Sequence, residues 1–558
     1  MLSPFSFALA NSPFADQRGR IQRFPKRTDR VMRIGDALPM NNQPSIQDRS
    51  PNKSSYISTG IPGLDTVLKG GFLRGGFYLL QGDPGSGKTT LGLQYLLKRV
   101  QEGDRVLYIA LTESRRDMEM ICNSHGWSLD QIELSDLVRA SSNPIEQTKH
   151  SIFDPGETEL GDLITNIISA IERVDPSHLV FDGLSELRML AGSPLRYRRH
   201  LLSLKKFSEQ RGITSMLLDD KSTETDFHSH QSIVGANIVL ETRLPVYGRA
   251  RRRLYIGKVR AADFQEGFHD YEIRTGGLFV YPRLVSPQHP QGSQRVVRSS
   301  GIANLDKMFK GGLSSGTSSV FIGPSGVGKS TMAMQFVAAA LKQGAKAAVY
   351  TFDEVLSTFL GRSEKLNFAG ESGALKSHLA DGRLIAQQID PAELTPGAFA
   401  QGVRDAVDDG ASIVVLDSLN GYINAMPEER FLSTHLHELI SFLNQRDVIT
   451  IMVVARHGIL RGEAADFNVS YLADSVLLFR YFESNGELLR GVRVLKNRTG
   501  SHEHAMRLLS ITDGGIVTGD PISHNILAPG LLYEDTTPAD FSLSEHEIPN
   551  VCGVNKDV

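Results

Sequence analysis

A chain of 558 residues that is 40% hydrophobic and 22% charged carries too much apolar surface for one core and calls for two or three globular domains. The formal net charge of −3 argues against whole-chain attraction to nucleic acid, and no run of apolar residues is long enough to offer a membrane span. The two cysteines, Cys122 and Cys552, can build neither a disulfide framework nor a cysteine-based zinc site, so a reducing, cytoplasmic setting is expected.

Residues 1–50 are polar, lack sustained periodicity and read as a disordered leader; their basic stretch from Arg18 to Arg33 reads as part of that solvated leader, with an anion-binding arm as the alternative. A first domain is expected over 51–285. Its apolar runs 77–80, 106–109, 178–181 and 214–218 alternate with helical stretches, the pattern of a mostly parallel sheet flanked by helices. The runs 238–240 and 254–256 follow without an intervening helix and read as antiparallel. Arg249, Arg251, Arg252 and Arg253 run into the second of these and are expected to line a surface or an interface.

The segment Gly82-Asp83-Pro84-Gly85-Ser86-Gly87-Lys88-Thr89, followed by Thr90, matches G-x-x-x-x-G-K-[ST] between a predicted strand and a predicted helix. Glycines let successive N–H groups turn toward phosphates, and the helix N-terminus adds its dipole. Lys88 is expected on the β- and γ-phosphates of ATP and the Thr89 hydroxyl on Mg²⁺. Asp182 ends an apolar strand, where an acid can hold the metal or its bound water. Glu113, after the strand 106–109, is the expected water-activating carboxylate. Lys258 and Arg260, after a late strand, suit an arginine-finger role at a neighbouring subunit's nucleotide.

Residues 286–297 are linker material, and a second domain is expected over 298–520, before a polar tail at 521–558. The second domain repeats the first. Gly323-Pro324-Ser325-Gly326-Val327-Gly328-Lys329-Ser330, followed by Thr331, is the second phosphate loop; Asp417 is the second strand-ending acid, and Asp353-Glu354 take the place of Thr112-Glu113. Ser330 and Asp417 are expected at the metal, with Glu354 and, as an alternative, Asp353 activating water. Lys496 and Arg498 answer Lys258 and Arg260. Lys88 and Lys329 are 241 positions apart, as are Asp65 and Asp306, an offset that marks a duplicated domain.

The two phosphate loops, Thr351-Phe352-Asp353-Glu354, Lys258-x-Arg260 and Lys496-x-Arg498 resemble the bacterial circadian clock ATPases of the KaiC family over residues 55–520. The resemblance implies two tandem RecA-like P-loop NTPase domains with mostly parallel central sheets. It also implies a homo-hexameric double ring with ATP between subunits, an ATPase in the first domain, and autokinase and autophosphatase activity in the second. Companion clock or signalling proteins are implied as a class, without identities. Ser470 falls on a family phosphoacceptor position, Tyr471 on the next one, where its longer side chain reads as packing. His502 falls on a position near the neighbour's nucleotide, and Phe264 replaces the matching histidine in the first domain. The family's Glu-Glu pair is Thr112-Glu113 in one copy and Asp353-Glu354 in the other, which points to altered catalysis in the first domain. The expectation is therefore an ATP-hydrolysing protein that phosphorylates itself on serine and acts as a ring-shaped timing or stress-signalling module. The alternatives are a RecA-like DNA motor, which a salt-dependent binding assay would reveal, and a nucleotide-gated scaffold with little turnover.

Overall fold

The computed structural model describes residues 55–136, 155–221, 232–245, 248–284, 295–365, 374–390, 392–424, 432–455, 471–484, 486–512 and 514–522. Ser470, the leader and most of the linker and tail lie outside them.

Two nine-stranded sheets share one topology. The first runs, edge to edge, Glu133–Asp136, Val106–Ala110, His178–Asp182, Thr214–Asp220, Phe77–Gly82, Ala236–Arg243, Arg251–Val259, His269–Arg274 and Gly277–Tyr281. The second runs Leu384–Gln388, Lys346–Thr351, Ala411–Asp417, Ile449–Ala455, Ser318–Gly323, Ser475–Ser484, Glu487–Asn497, Arg507–Thr512 and Gly515–Pro521. In each sheet the first six strands are parallel and the last three continue antiparallel. These are the mostly parallel, helix-flanked sheets of tandem RecA-like domains.

The central strands are apolar because helices cover both faces. Alternate residues separate cleanly in the first domain. Leu80, Tyr108, Val180 and Leu218 pack on one face with Leu91 and Leu96 of the helix Lys88–Gln101. Leu79, Leu107, Phe181 and Leu217 pack on the other with Ile167 and Leu201. This is the period of two that a strand imposes.

Two features differ from the pattern reading. Ala236–Arg243 pairs antiparallel with Arg251–Val259 as expected, yet it is parallel to Phe77–Gly82, so it closes the parallel block. The edge strands Glu133–Asp136 and Leu384–Gln388 were not anticipated; the first is largely polar and the second ends in two exposed glutamines, and each is paired on one side only.

The arginine-rich stretch reaches the second domain. Arg249 N–H donates to the Ala392 carbonyl at 3.1 Å and Arg251 Nη1 to the Leu394 carbonyl at 2.9 Å. Asp270 accepts the Gly397 N–H at 2.7 Å, in the first turn of the helix Pro396–Asp408, where an anion suits the helix dipole.

Candidate functional site

Each phosphate loop leaves the C-terminal end of the central strand, Phe77–Gly82 or Ser318–Gly323, and enters a 14-residue helix, Lys88–Gln101 or Lys329–Lys342. Gly87 and Gly328 precede these helices at φ 95° and 108°, conformations that a side chain would strain. A Cβ on Gly323 would lie 2.5 Å from the Phe479 carbonyl oxygen, so the loop passes too close to its neighbouring strand for any other residue. Asp83, Pro84, Gly85, Ser86 and their counterparts Pro324, Ser325, Gly326 and Val327 fill the remaining positions of the two turns, and Thr90 and Thr331 lie in the first turn of the helices that follow. Ser86 and Val327 are buried and Gly85 and Gly326 have φ of 75°, so the loop backbone, not its side chains, forms the concave face.

Lys88 and Lys329 fold back over their loops. Lys88 Nζ donates to the Gly82 and Asp83 carbonyls at 2.9 and 3.1 Å and lies 2.8 Å from Asp220 Oδ1. Lys329 Nζ donates to the Pro324 carbonyl at 2.7 Å, and burial, partly offset by Asp417, lowers its pKa to about 8. The strand-ending acids sit beside the helix-start hydroxyls. Thr89 Oγ1 donates to Asp182 Oδ2 at 3.2 Å, and the Ser330 hydroxyl lies close enough to Asp417 to favour its charged form. Both acids are buried, and burial raises both pKa values, that of Asp417 to about 6.

The two acids are not equivalent. Tyr108 hydroxyl donates to Asp182 Oδ2. In the second sheet the register puts Val349 at the place of Tyr108, and Asp417 Oδ2 is buried without a hydrogen-bond partner. A buried orphan carboxylate oxygen beside a hydroxyl and a lysine fits a divalent cation carried in with phosphate. Among the described residues no group of three or more His, Cys, Asp or Glu could hold a metal by itself.

Glu113 and Glu354 follow the strands Val106–Ala110 and Lys346–Thr351 at the same end of each sheet. Glu113 Oε2 is buried and unpartnered; burial first, then Asp182 and Asp117, raise its pKa. Glu354 is held by Arg362, and Asp353 accepts the Ser418 hydroxyl.

The late basic residues stand apart from the loop of their own domain. Lys258 and Lys496 lie inside the strands Arg251–Val259 and Glu487–Asn497 rather than after them, while Arg260 and Arg498 follow and are exposed. Arg260 Nη2 donates to the Ser232 carbonyl at 2.5 Å; Lys496 Nζ donates to the Ala473 carbonyl at 2.8 Å; Arg498 Nη1 is 3.8 Å from Asp474 Oδ1. His502 lies against His504, with ring centroids 4.6 Å apart and the rings tilted by 60°, and burial lowers its pKa. Tyr471 is 54% exposed in the single chain, so it is not packed into the core of its own domain.

Sequence reasoning missed Asp219, Asp220 and Arg188. Arg188 pairs with buried Asp219, and Gln81 Nε2 donates to the same carboxylate at 3.3 Å. The paired acids that end the run Leu217-Leu218-Asp219-Asp220 were the available signal, because that strand lies directly beside the phosphate-loop strand. Tyr271, also missed, donates its hydroxyl to the Ser86 carbonyl at 2.7 Å and braces the first loop from the strand His269–Arg274.

Comparison with known proteins agrees with this geometry. The family described as "ATPase: KaiC" matches residues 57–285 and 298–522. The circadian clock protein KaiC3 of Synechocystis sp. is 25% identical over 497 residues, covering 87% of this chain and 96% of its own. The circadian clock oscillator protein KaiC of Prochlorococcus marinus is 24% identical over 515 residues, 86% of this chain and 96% of its own. That of Synechococcus elongatus is 24% identical over 487 residues, 84% of this chain and 91% of its own. Two matched ATPase segments on two sheets of one topology, each with a lysine, a hydroxyl and a buried acid at its phosphate loop, place this chain in the KaiC ATPase family.

Proposed function

We propose that this protein binds Mg·ATP at both phosphate loops, hydrolyses it, and phosphorylates itself on Ser470 from the second domain, in a homo-hexamer with ATP between subunits. The two ATPase domains are taken as 51–285 and 298–520. The observation that carries the reading is the repeated constellation of lysine, hydroxyl and buried carboxylate at Lys88, Thr89 and Asp182 and at Lys329, Ser330 and Asp417.

The loop N–H groups and the lysine would hold the phosphates, and Thr89 with Asp182, or Ser330 with Asp417, would hold Mg²⁺. The bound cation supplies charge neutralisation on the phosphoryl oxygens. Glu113 would take a proton from water in the first domain; its raised pKa, which brings a carboxylate closer to neutral basicity, supports that role. Glu354, with Asp353 beside it, would orient the acceptor in the second. Arg260 and Arg498 are exposed at strand ends and far from their own loops in the fold, which suits contact with the nucleotide of an adjacent subunit; Lys258 and Lys496 lie beside them, and His502 follows Arg498 by four residues in the chain. The acceptor segment leads into Ser475–Ser484, the strand parallel to and directly beside the second phosphate-loop strand.

No helix among the described residues is long and apolar enough to cross a membrane. The names of the relatives point to circadian timing, and a timing or stress-signalling role with protein partners is proposed on that likeness. Phosphosite mapping after incubation with Mg·ATP tests the reading. One dominant phosphoserine is expected, lost in Ser470→Ala and in Lys329→Ala. Phosphate mainly on Tyr471, or persisting in Ser470→Ala, would overturn the acceptor; turnover of ATP with no phosphoprotein would reduce the protein to a plain ATPase.

A further inference from the structure

Tyr108 and Val180 face each other across the strands Val106–Ala110 and His178–Asp182. Asp182 lies two residues beyond Val180 and so on the same face of the sheet. The Tyr108 ring is fully buried and runs diagonally to that acid, where its hydroxyl donates to Oδ2. Thr89 Oγ1 donates to the same oxygen at 3.2 Å. The helix Lys88–Gln101 passes over this pair at Gly92, a residue that a helix interior tolerates poorly. A Cβ there would lie 3.1 Å from Val180 Cγ1 and 3.7 Å from Tyr108 Cε2. At the repeat offset of 241 the second domain has Ala333 for Gly92 and Val349 for Tyr108, so the small helix residue and the long strand residue occur together in one copy and are both absent from the other. Thr351 stands opposite Asp417 as Ala110 stands opposite Asp182, but its hydroxyl is buried without a partner and does not take over the part of Tyr108.

We propose that Tyr108 is a positioning residue for the metal acid of the first site: it fixes the Asp182 carboxylate through Oδ2 and leaves Oδ1 to Mg²⁺ or to a water that Mg²⁺ carries. This rests on the reading of the first loop as a Mg·ATP site. Burial, and then the charge of Asp182, push the Tyr108 pKa well above its ordinary value, so the phenol keeps its proton and stays a donor. A ring closed in on both sides by strand and helix has no room to swing aside when a cation enters. Hydrogen bonds that orient a metal's ligand from behind are worth about 10–100-fold in metal affinity. Asp182 would share the cation with a hydroxyl, phosphate and water, so the lower end of that range, about tenfold, is expected here.

The test uses full-length chains and a double-mutant cycle. In Lys329→Ala, equilibrium binding of Mg·ATP reports the first site. Tyr108→Phe, which removes one oxygen and keeps the ring, is expected to weaken that binding about tenfold. In Lys329→Ala carrying Asp182→Asn, the same change is expected to have no further effect, because Tyr108 acts through the carboxylate. An equal loss with and without Asp182 is what a mere brace of the fold would give, and unchanged or tighter binding in Tyr108→Phe is what an idle or competing hydroxyl would give; either result overturns the inference and leaves the ATP-site reading intact. Should Tyr108→Phe not fold, Ala333→Gly with Val349→Tyr in Lys88→Ala transplants the pair to the second site. Mg·ATP is then expected to bind there severalfold more tightly, and unchanged or weaker binding overturns the inference. A Lys329→Ala parent that binds no nucleotide would remove the ATP-site reading, and this inference with it.

Discussion

Arg362 Nη2 stands 2.9 Å from Glu354 Oε2, whereas among the described residues Glu113 has no such ion pair. The residue eight positions beyond Glu113 is Ile121, which packs against the core of the first domain. A cation thus holds one candidate base, whereas the other is buried without a partner at Oε2.

That contrast sets the first prediction. Glu113→Gln should cut hydrolysis at the first site by about 100-fold while nucleotide still binds, since proton transfer contributes on that order. Because burial and Asp182 raise the Glu113 pKa, the acid limb of first-site hydrolysis should lie above the ordinary carboxylate range: the base is lost as pH falls through the raised value. Turnover measured against pH in Lys329→Ala checks both. An unaltered rate in Glu113→Gln would move the role elsewhere.

Asp417 carries the second. Its folded pKa of about 6 stands above the ordinary 3.8, so the folded state binds the proton more tightly. Its contribution favours folding below the ordinary value and is lost as pH rises through about 6. At neutral pH the ionised, orphaned carboxylate is a cost. Asp417→Asn should therefore raise the melting temperature of the metal- and nucleotide-free protein by about 2–4 °C, and should lose the further thermal shift that Mg·ATP gives at the second site. Thermal melts with and without Mg·ATP decide this; a lowered melting temperature without ligand would show that the carboxylate stabilises the fold.

His178 gives the opposite pH dependence in the first domain. It is fully buried, with Nδ1 2.8 Å from the Tyr95 hydroxyl and Nε2 3.1 Å from Asp104 Oδ2, a pairing that suits the neutral ring donating from Nε2. Burial first, with nearby Arg99 and Arg74 adding to it and Asp104 opposing, pushes its pKa down from 6.5 to about 4. The unfolded chain therefore binds the proton first. Stability is complete above 6.5 and falls as pH drops toward about 4, by about 3 kcal/mol. Urea unfolding between these limits should show the loss, and His178→Gln should flatten it; an unchanged slope in the variant would assign the acid sensitivity to other groups.

Much of this was legible in the chain. The strand-ending acids Asp182 and Asp417 and the loop lysines stand where the motif and the apolar runs locate them, because a buried parallel strand and a glycine-rich turn leave few alternatives for local structure. The neighbours of those residues were not legible. Tyr108, Asp220, Arg188 and Arg362 reach the site from other strands and helices, and their pairing depends on register across the sheet, which periodicity within one segment does not specify. The edge strands escaped for a related reason: a strand paired on one side has no need of the apolar run that marks a central one. The inequality of Asp182 and Asp417 became visible only once Tyr108 and Val349 were seen to share a place in the two sheets.

The stoichiometry of bound nucleotide tests the central claim, two working phosphate sites on one chain, most directly. Equilibrium binding of Mg·ATP to the full-length protein should saturate at two nucleotides per chain, and at one in either Lys88→Ala or Lys329→Ala. Saturation at one in the unaltered protein, or at two in both variants, would contradict it.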